Sequence, residues 1–170
     1  MNVIGILHSL GINIELHASY YTNVLMVHEF IFVEMQMTTV KLWTDAEVDL
    51  VPRLKTVFDD IRSVRKSDFV NNFWRGLCNQ PALMEQTWAN LKEVMIKGGA
   101  LDPLTKELIY MAVSTVNGCS YCVHSHTAAA RAKGMTPEQH EELLAVIGMA
   151  MQTNGIVTAL QIPVDKEFQV

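Results

Sequence analysis

Three times the chain carries the same kind of signal for starting a helix. Thr44-Asp45-Ala46-Glu47 and Thr136-Pro137-Glu138-Gln139 both have the form S/T-x-x-E/Q, in which the hydroxyl caps an N–H one turn ahead and the acid or amide reaches back to the cap. Asp102-Pro103 pairs an N-cap acceptor with a proline at the first helical position, where no N–H is needed. Stop signals alternate with these starts: Gly98-Gly99, Asn117-Gly118 and Gly134. Between turn signals there is no alternating Val/Ile/Thr-rich segment, no internal repeat and no Pro/Ser-rich linker. The expected fold is therefore all-α, a helical bundle in a single domain.

Apolar spacing fills in the helices. One amphipathic helix is expected from the Thr44 cap to about Lys66, with Leu54, Val57, Phe58, Ile61 and Val64 on one face. A shorter one over 69–78 carries Phe73, Trp74 and Leu77. The next, over 81–97, steps through Met84, Trp88, Leu91 and Met95. The helix opened by Asp102 contains the run Leu108 to Val113, apolar almost all round, and so is expected in the core. A helix over 119–133 follows, then one from Thr136 through Leu144 and Val146, and a last short one over 155–160.

Composition removes several partners. With 13 Lys+Arg against 18 Asp+Glu, a formal net charge of -5, there is no basic footprint for nucleic acid or an anionic membrane. No run of eighteen apolar residues is free of polar interruption, so no membrane span is expected. Residues 1–40 hold no Lys or Arg, unlike a secretory leader or a mitochondrial presequence, and a cytoplasmic location is expected. Charge and helix signals begin together after Met37. This divides the chain into 1–36, expected to be poorly structured or outside the natural product if translation starts at Met35 or Met37, and 37–170, the helical domain. The alternative for 1–36 is a genuine arm that covers a partner subunit.

Three cysteines with one close pair do not make a disulfide scaffold. Cys78, beside Leu77 in an apolar segment, reads as a core thiol. The pair lies in Cys119-Ser120-Tyr121-Cys122-Val123-His124-Ser125-His126. At roughly 100° per residue, Cys119, Cys122 and His126 fall within an arc of about 60°, while His124 points the other way. An i, i+3 pair at a first turn can close a disulfide, and the helix N-terminus stabilises a thiolate. His126, one turn after Cys122, is placed to act as base. Haem attachment is excluded because Val123 follows Cys122. Zinc on Cys119, Cys122, His126 and His140 lacks the second ligand cluster of strong zinc patterns, and two thiols that merely pack are the other alternative. Neither metal nor cofactor is expected. Glu107 borders the Leu104, Leu108, Met111 stripe of an otherwise apolar helix, where a carboxylate needs a partner. That partner is His126, or else the carboxylate reaches solvent near the first turn.

Over residues 68–164 the sequence resembles the carboxymuconolactone decarboxylase superfamily, specifically its AhpD-like alkylhydroperoxidase branch. The resemblance is carried by Asn71-Asn72-Phe73-Trp74, Pro81-Ala82-Leu83, Leu104-Thr105-Lys106-Glu107 and the Cys119 to Thr127 segment. It implies an all-helical fold that assembles into homo-trimers or homo-hexamers, with the cysteine pair near the subunit interface. It implies peroxidatic Cys122, resolving Cys119, and Glu107 with His126 as the relay that deprotonates Cys122. It also implies a small hydroperoxide substrate and a dithiol donor of the dihydrolipoamide type. Decarboxylase members typically lack the cysteine pair, so a decarboxylase-like enzyme is the lesser alternative, beside a helical oligomer switched by its disulfide. Helix position alone would make Cys119 the more acidic thiol. Tyr121 stands where characterised members carry an additional His, and a phenol does not serve as a base at neutral pH.

Overall fold

The computed structural model describes residues 38–169, which contain helices and turns and no strand. The segment 1–36, set apart above, lies outside the described residues. The chain divides into two compact units, Met1–Met84 and Glu85–Val170.

The first unit holds α1 (Asp45–Asp49), α2 (Pro52–Arg65), α3 (Asn72–Leu77) and the first turn of α4 (Pro81–Leu91). The Thr44 capping box forms: the Glu47 N–H donates to Thr44 Oγ1 at 3.3 Å and the Thr44 N–H to Glu47 Oε2 at 2.9 Å. The single helix expected from this cap to Lys66 is instead two. Pro52 has no N–H to continue α1 and disfavours helical backbone at Val51, which is extended at φ -118°, ψ 98°. Leu54, Phe58, Ile61, Trp74 and Met84 lose nearly all contact with water. Asp45 ties the unit's outer face by meeting Arg62 at 2.7 Å and Arg75 at 3.1 Å, and both guanidiniums lie over the Phe58 ring. Cys78 is the core thiol expected. Its Sγ donates to the Trp74 carbonyl at 3.3 Å, and burial pushes its pKa up.

The second unit takes up the rest of α4, then α5 (Pro103–Val116), α6 (Ser120–Ala132) and α7 (Pro137–Leu160). The helix expected over 81–97 keeps α-helical geometry only to Leu91. A π-helical turn, Lys92–Ile96, follows, in which the Lys97 N–H reaches back five residues to the Lys92 carbonyl at 2.8 Å. Asp102 caps α5 by accepting from the Leu104 and Thr105 N–H groups, and the Thr136 capping box opens α7. The two helices expected after Thr136 are one. Gly148 and Gly155 lie inside α7, and the roughly 1 kcal/mol that each costs against alanine does not break a run as rich in helix formers as Met149-Ala150-Met151-Gln152.

One expectation about this unit is corrected. α5 is not buried all round: Glu107, Met111 and Ser114 face inward, whereas Ile109, Val113 and Val116 are exposed. Met111 packs with Ala130 and Met135, flanked by Leu104, Leu108 and Leu143. α7 is, by length and composition alone, apolar enough to cross a membrane, with a mean hydropathy of 1.6 in its most apolar stretch. Its polar interruptions, Gln152 to Asn154, are uncharged and do not offset the residues around them. Ile147 is its buried residue, while Leu144, Val146, Met149, Met151, Val157 and Leu160 are exposed.

Candidate active site

The site is built at the turn between α5 and α6. Asn117 ends α5, and Gly118 takes φ +67°, a left-handed conformation that any side chain would strain. The reversal brings Cys119 to the N-cap of α6, its N–H bonded to the Ser114 carbonyl at 2.9 Å. Cys122 follows in the first turn, where its N–H donates to Cys119 Sγ at 3.3 Å. The two cysteines form a disulfide, their Cα atoms 5.3 Å apart. Both are partly buried.

One turn beyond Cys122, His126 Nδ1 lies 2.6 Å from Glu107 Oε2 on α5. Glu107 is 5% exposed, so the apolar-helix argument for a partnered carboxylate holds, and its partner is the histidine the spacing suggested. Lys133 Nζ donates to the other carboxylate oxygen, Oε1, at 2.8 Å. Burial works against ionisation of Glu107, but the hydrogen bonds from His126 and Lys133 outweigh it and hold the carboxyl below its ordinary value. An ionised Glu107 accepts from Nδ1–H, which leaves the Nε2 lone pair on the opposite edge of the ring. Tyr110, one turn after Glu107, stacks on the His126 ring at 3.6 Å between centroids and 19° between planes.

The four residues singled out in the sequence are thus together on two adjacent helices. Among the described residues neither cysteine sulfur hydrogen-bonds His126 while the disulfide is closed. His124 turns outward to the Ser120 carbonyl at 2.8 Å, as its place on the opposite side predicts. Among the described residues no three His, Cys, Asp or Glu side chains stand together as metal ligands, so the set with His140 is not assembled. Two members of the site were missed. Lys133 lies seven residues after His126, two full turns on the same face, and Tyr110 lies three after Glu107; both spacings were legible, and neither residue type draws attention by itself. Tyr110 also lines an apolar hollow of about 270 Å³ formed with Val94, Met95, Leu101, Ile109 and Val113.

The fold has known counterparts. The family model described as carboxymuconolactone decarboxylase family matches residues 81–165. The crystal structure of the alkylhydroperoxidase AhpD core from Rhodospirillum rubrum is similar with a TM-score of 0.78 and 66% sequence identity, over 79% of this chain and 98% of that one. Among curated relatives, the alkyl hydroperoxide reductase AhpD of Solibacter usitatus is 38% identical over 43% of this chain and 39% of that protein. That of Mycobacteroides abscessus is 36% identical over 53% of each. The chain spans about half the length of these curated relatives or less. It belongs to the carboxymuconolactone decarboxylase family, in its AhpD-like branch.

Proposed function

We propose that the chain is a thiol peroxidase that reduces organic hydroperoxides through Cys119 and Cys122. The observation that carries this reading is the cysteine pair at the start of α6 with His126 on the same helix, itself hydrogen-bonded to a buried, ionised Glu107. In the reduced protein His126 takes the Cys122 proton and Glu107 steadies the resulting charge. The Cys122 thiolate attacks the nearer oxygen of a hydroperoxide; the O–O bond breaks, the thiol becomes a sulfenic acid, and the departing alkoxide takes the proton back as an alcohol. The Cys119 thiol then displaces water from the sulfenic acid to give the disulfide. A dithiol donor of the dihydrolipoamide type reduces the disulfide by exchange and leaves oxidised. The relatives named alkyl hydroperoxide reductase support the reaction class, and the apolar hollow against Tyr110 favours an organic peroxide over hydrogen peroxide.

The test is a stopped-flow reaction of the fully reduced protein with an organic hydroperoxide, counting thiols and mapping the product by mass spectrometry. Rapid loss of two thiols per chain with a Cys119–Cys122 link supports the proposal. A rate no faster than that of a free thiol overturns it in favour of disulfide exchange or a redox-switched assembly.

The chain is further proposed to act as a homo-trimer or homo-hexamer. α7 leaves Leu144, Val146, Met149, Met151 and Leu160 exposed on a helix without a charged residue after Glu142. Exposed apolar residues in that number along one helix favour an association site. Sedimentation in detergent-free buffer checks it: a single-chain species at micromolar concentration counts against assembly.

A further inference from the structure

We propose that Lys133 is a positioning residue of this site, whose charge keeps Glu107 ionised while His126 gives up and takes back a proton. A carboxylate as buried as Glu107 that faced an imidazole alone would share one proton with it, because the low-dielectric surroundings penalise a lone negative charge whenever the histidine is neutral. The ammonium on Oε1 removes that penalty: with His126 neutral, Glu107 and Lys133 balance each other. It also fixes the plane of the carboxylate and so aims Oε2 at Nδ1. The result is a histidine held with its Nδ1–H donated inward and Nε2 available as acceptor, the tautomer a base on the cysteine side needs.

The place of Lys133 is specified by the chain. It closes α6, and Gly134 behind it takes φ +92° while the Met135 N–H returns to the Ala130 carbonyl at 3.0 Å, a reversal that ends the helix at this residue. The Lys133 side chain is 35% exposed and His126 19%, so the ammonium is partly shielded and reaches the carboxylate from the solvent side. Lys106, Glu93 and Glu138, on the neighbouring elements, are engaged elsewhere. Lys106, on the same helix as Glu107, donates to the Lys97 carbonyl at 2.9 Å. Glu93 of the π-helical turn pairs with Lys97. From α7, Glu138 is held by its own backbone and Thr136, and among the described residues the side chains that donate to the Glu107 carboxylate are His126 and Lys133, not His140. His126 and Lys133 are the groups that act on it.

This inference rests on the thiol-peroxidase reading only for the use made of the base; its electrostatic content can be tested apart from peroxide chemistry. Lys133→Met, Lys133→Gln and Lys133→Arg are made in the full reduced chain. Alkylation by iodoacetamide is followed against pH, and the Glu107 carboxyl carbon is titrated by NMR. The charge-removing variants should move the acid edge of the alkylation profile and the Glu107 titration upward together by about one pH unit, a tenfold slower alkylation below the edge. Lys133→Arg should restore both. Profiles that superimpose on the parent in Lys133→Met or Lys133→Gln, or an arginine variant that behaves like methionine, overturn the assignment. Lys133→Gln keeps a polar stem at the helix end, so it reads the charge even if methionine disturbs folding. If both readouts shift as expected while the parent fails to consume hydroperoxide, the peroxidase reading falls and the role of Lys133 stands.

Discussion

The two units of the chain handle burial in opposite ways. In the first, α1 to α3 enclose Phe58, Ile61, Trp74 and Cys78, while Asp45, Arg62 and Arg75 pair on the outside. In the second, the inner face of α5 buries Glu107 and Ser114, while Ile109, Val113 and Val116 look outward, and α7 adds a long apolar exterior. The cysteines follow the same division. Burial pushes the Cys78 thiol away from ionisation, whereas Cys119 and Cys122 sit at a helix start beside a network of titrating groups. A unit that buries polar groups and exposes apolar ones carries two demands, since a buried charge needs partners and an exposed apolar face is a candidate association surface.

The sharpest test of this contrast exchanges sulfur for oxygen in each unit. Cys122→Ser is expected to reduce hydroperoxide turnover to that of the uncatalysed reaction, and Cys78→Ser to leave turnover per folded chain unchanged; comparable losses in the two variants would erase the distinction between a reactive and a packed thiol. Next in size is a truncation in the first unit. Phe58 is fully buried and lies under two guanidiniums, so Phe58→Ala should cost about 3–5 kcal/mol in urea unfolding without moving the thiol kinetics of the folded fraction.

How far the sequence disclosed each unit follows from what kind of signal each feature leaves. Caps are local: Thr44, Asp102 and Thr136 are where they were expected because a side-chain oxygen and an N–H two or three residues ahead are all that is needed. Helix interruption is local too, yet the single helix expected from the Thr44 cap to Lys66 ran through Pro52 without reading it as the end of what precedes it. The inward turn of Glu107 was legible as a conflict, a carboxylate on an apolar stripe, and the i+4 spacing supplied His126. Lys133 and Tyr110 were not, because a lysine at a helix end and a tyrosine in an apolar run satisfy ordinary roles, and only the packing of α5 on α6 gives them another. The outward face of α5 was misjudged for a related reason: hydropathy shows that a helix wants cover, not whether its own chain provides it.

Within the second unit the inner network should matter more than the outer face for chemistry, and less for assembly. Glu107→Gln keeps the shape but not the charge, and His126→Ala removes the base; each is expected to slow alkylation and hydroperoxide reaction of the reduced protein by about 100-fold at neutral pH. Unchanged rates would remove both from the relay. Val146→Glu combined with Met149→Glu places charges on the exposed face of α7 and should shift the sedimenting species to the single chain, with a smaller change in alkylation rate; an unshifted species would locate the association surface elsewhere.

The smallest effect expected is in the acid response, and it separates a buried carboxylate from an exposed one. Glu107 is held below its ordinary value in the folded chain, against burial, by His126 and Lys133. Its folded-state value lies below the unfolded one, so the stability it contributes is fully present above the ordinary carboxyl value of 4.5 and is lost as pH falls through the lowered value. The parent should therefore exceed Glu107→Gln in stability by an amount that is constant near neutrality and shrinks progressively below about pH 4.5. Glu47 is lowered to about 2, chiefly by its hydrogen bond from Lys41. It lies at the surface, however, with its side chain 38% exposed, where solvent and salt screen such a pair, so Glu47→Gln should alter the acid limb little, and less still in high salt. Urea melts of the two variants across that range decide the matter. A larger acid effect from Glu47 than from Glu107 would mean that burial does not set the strength of the network in the second unit.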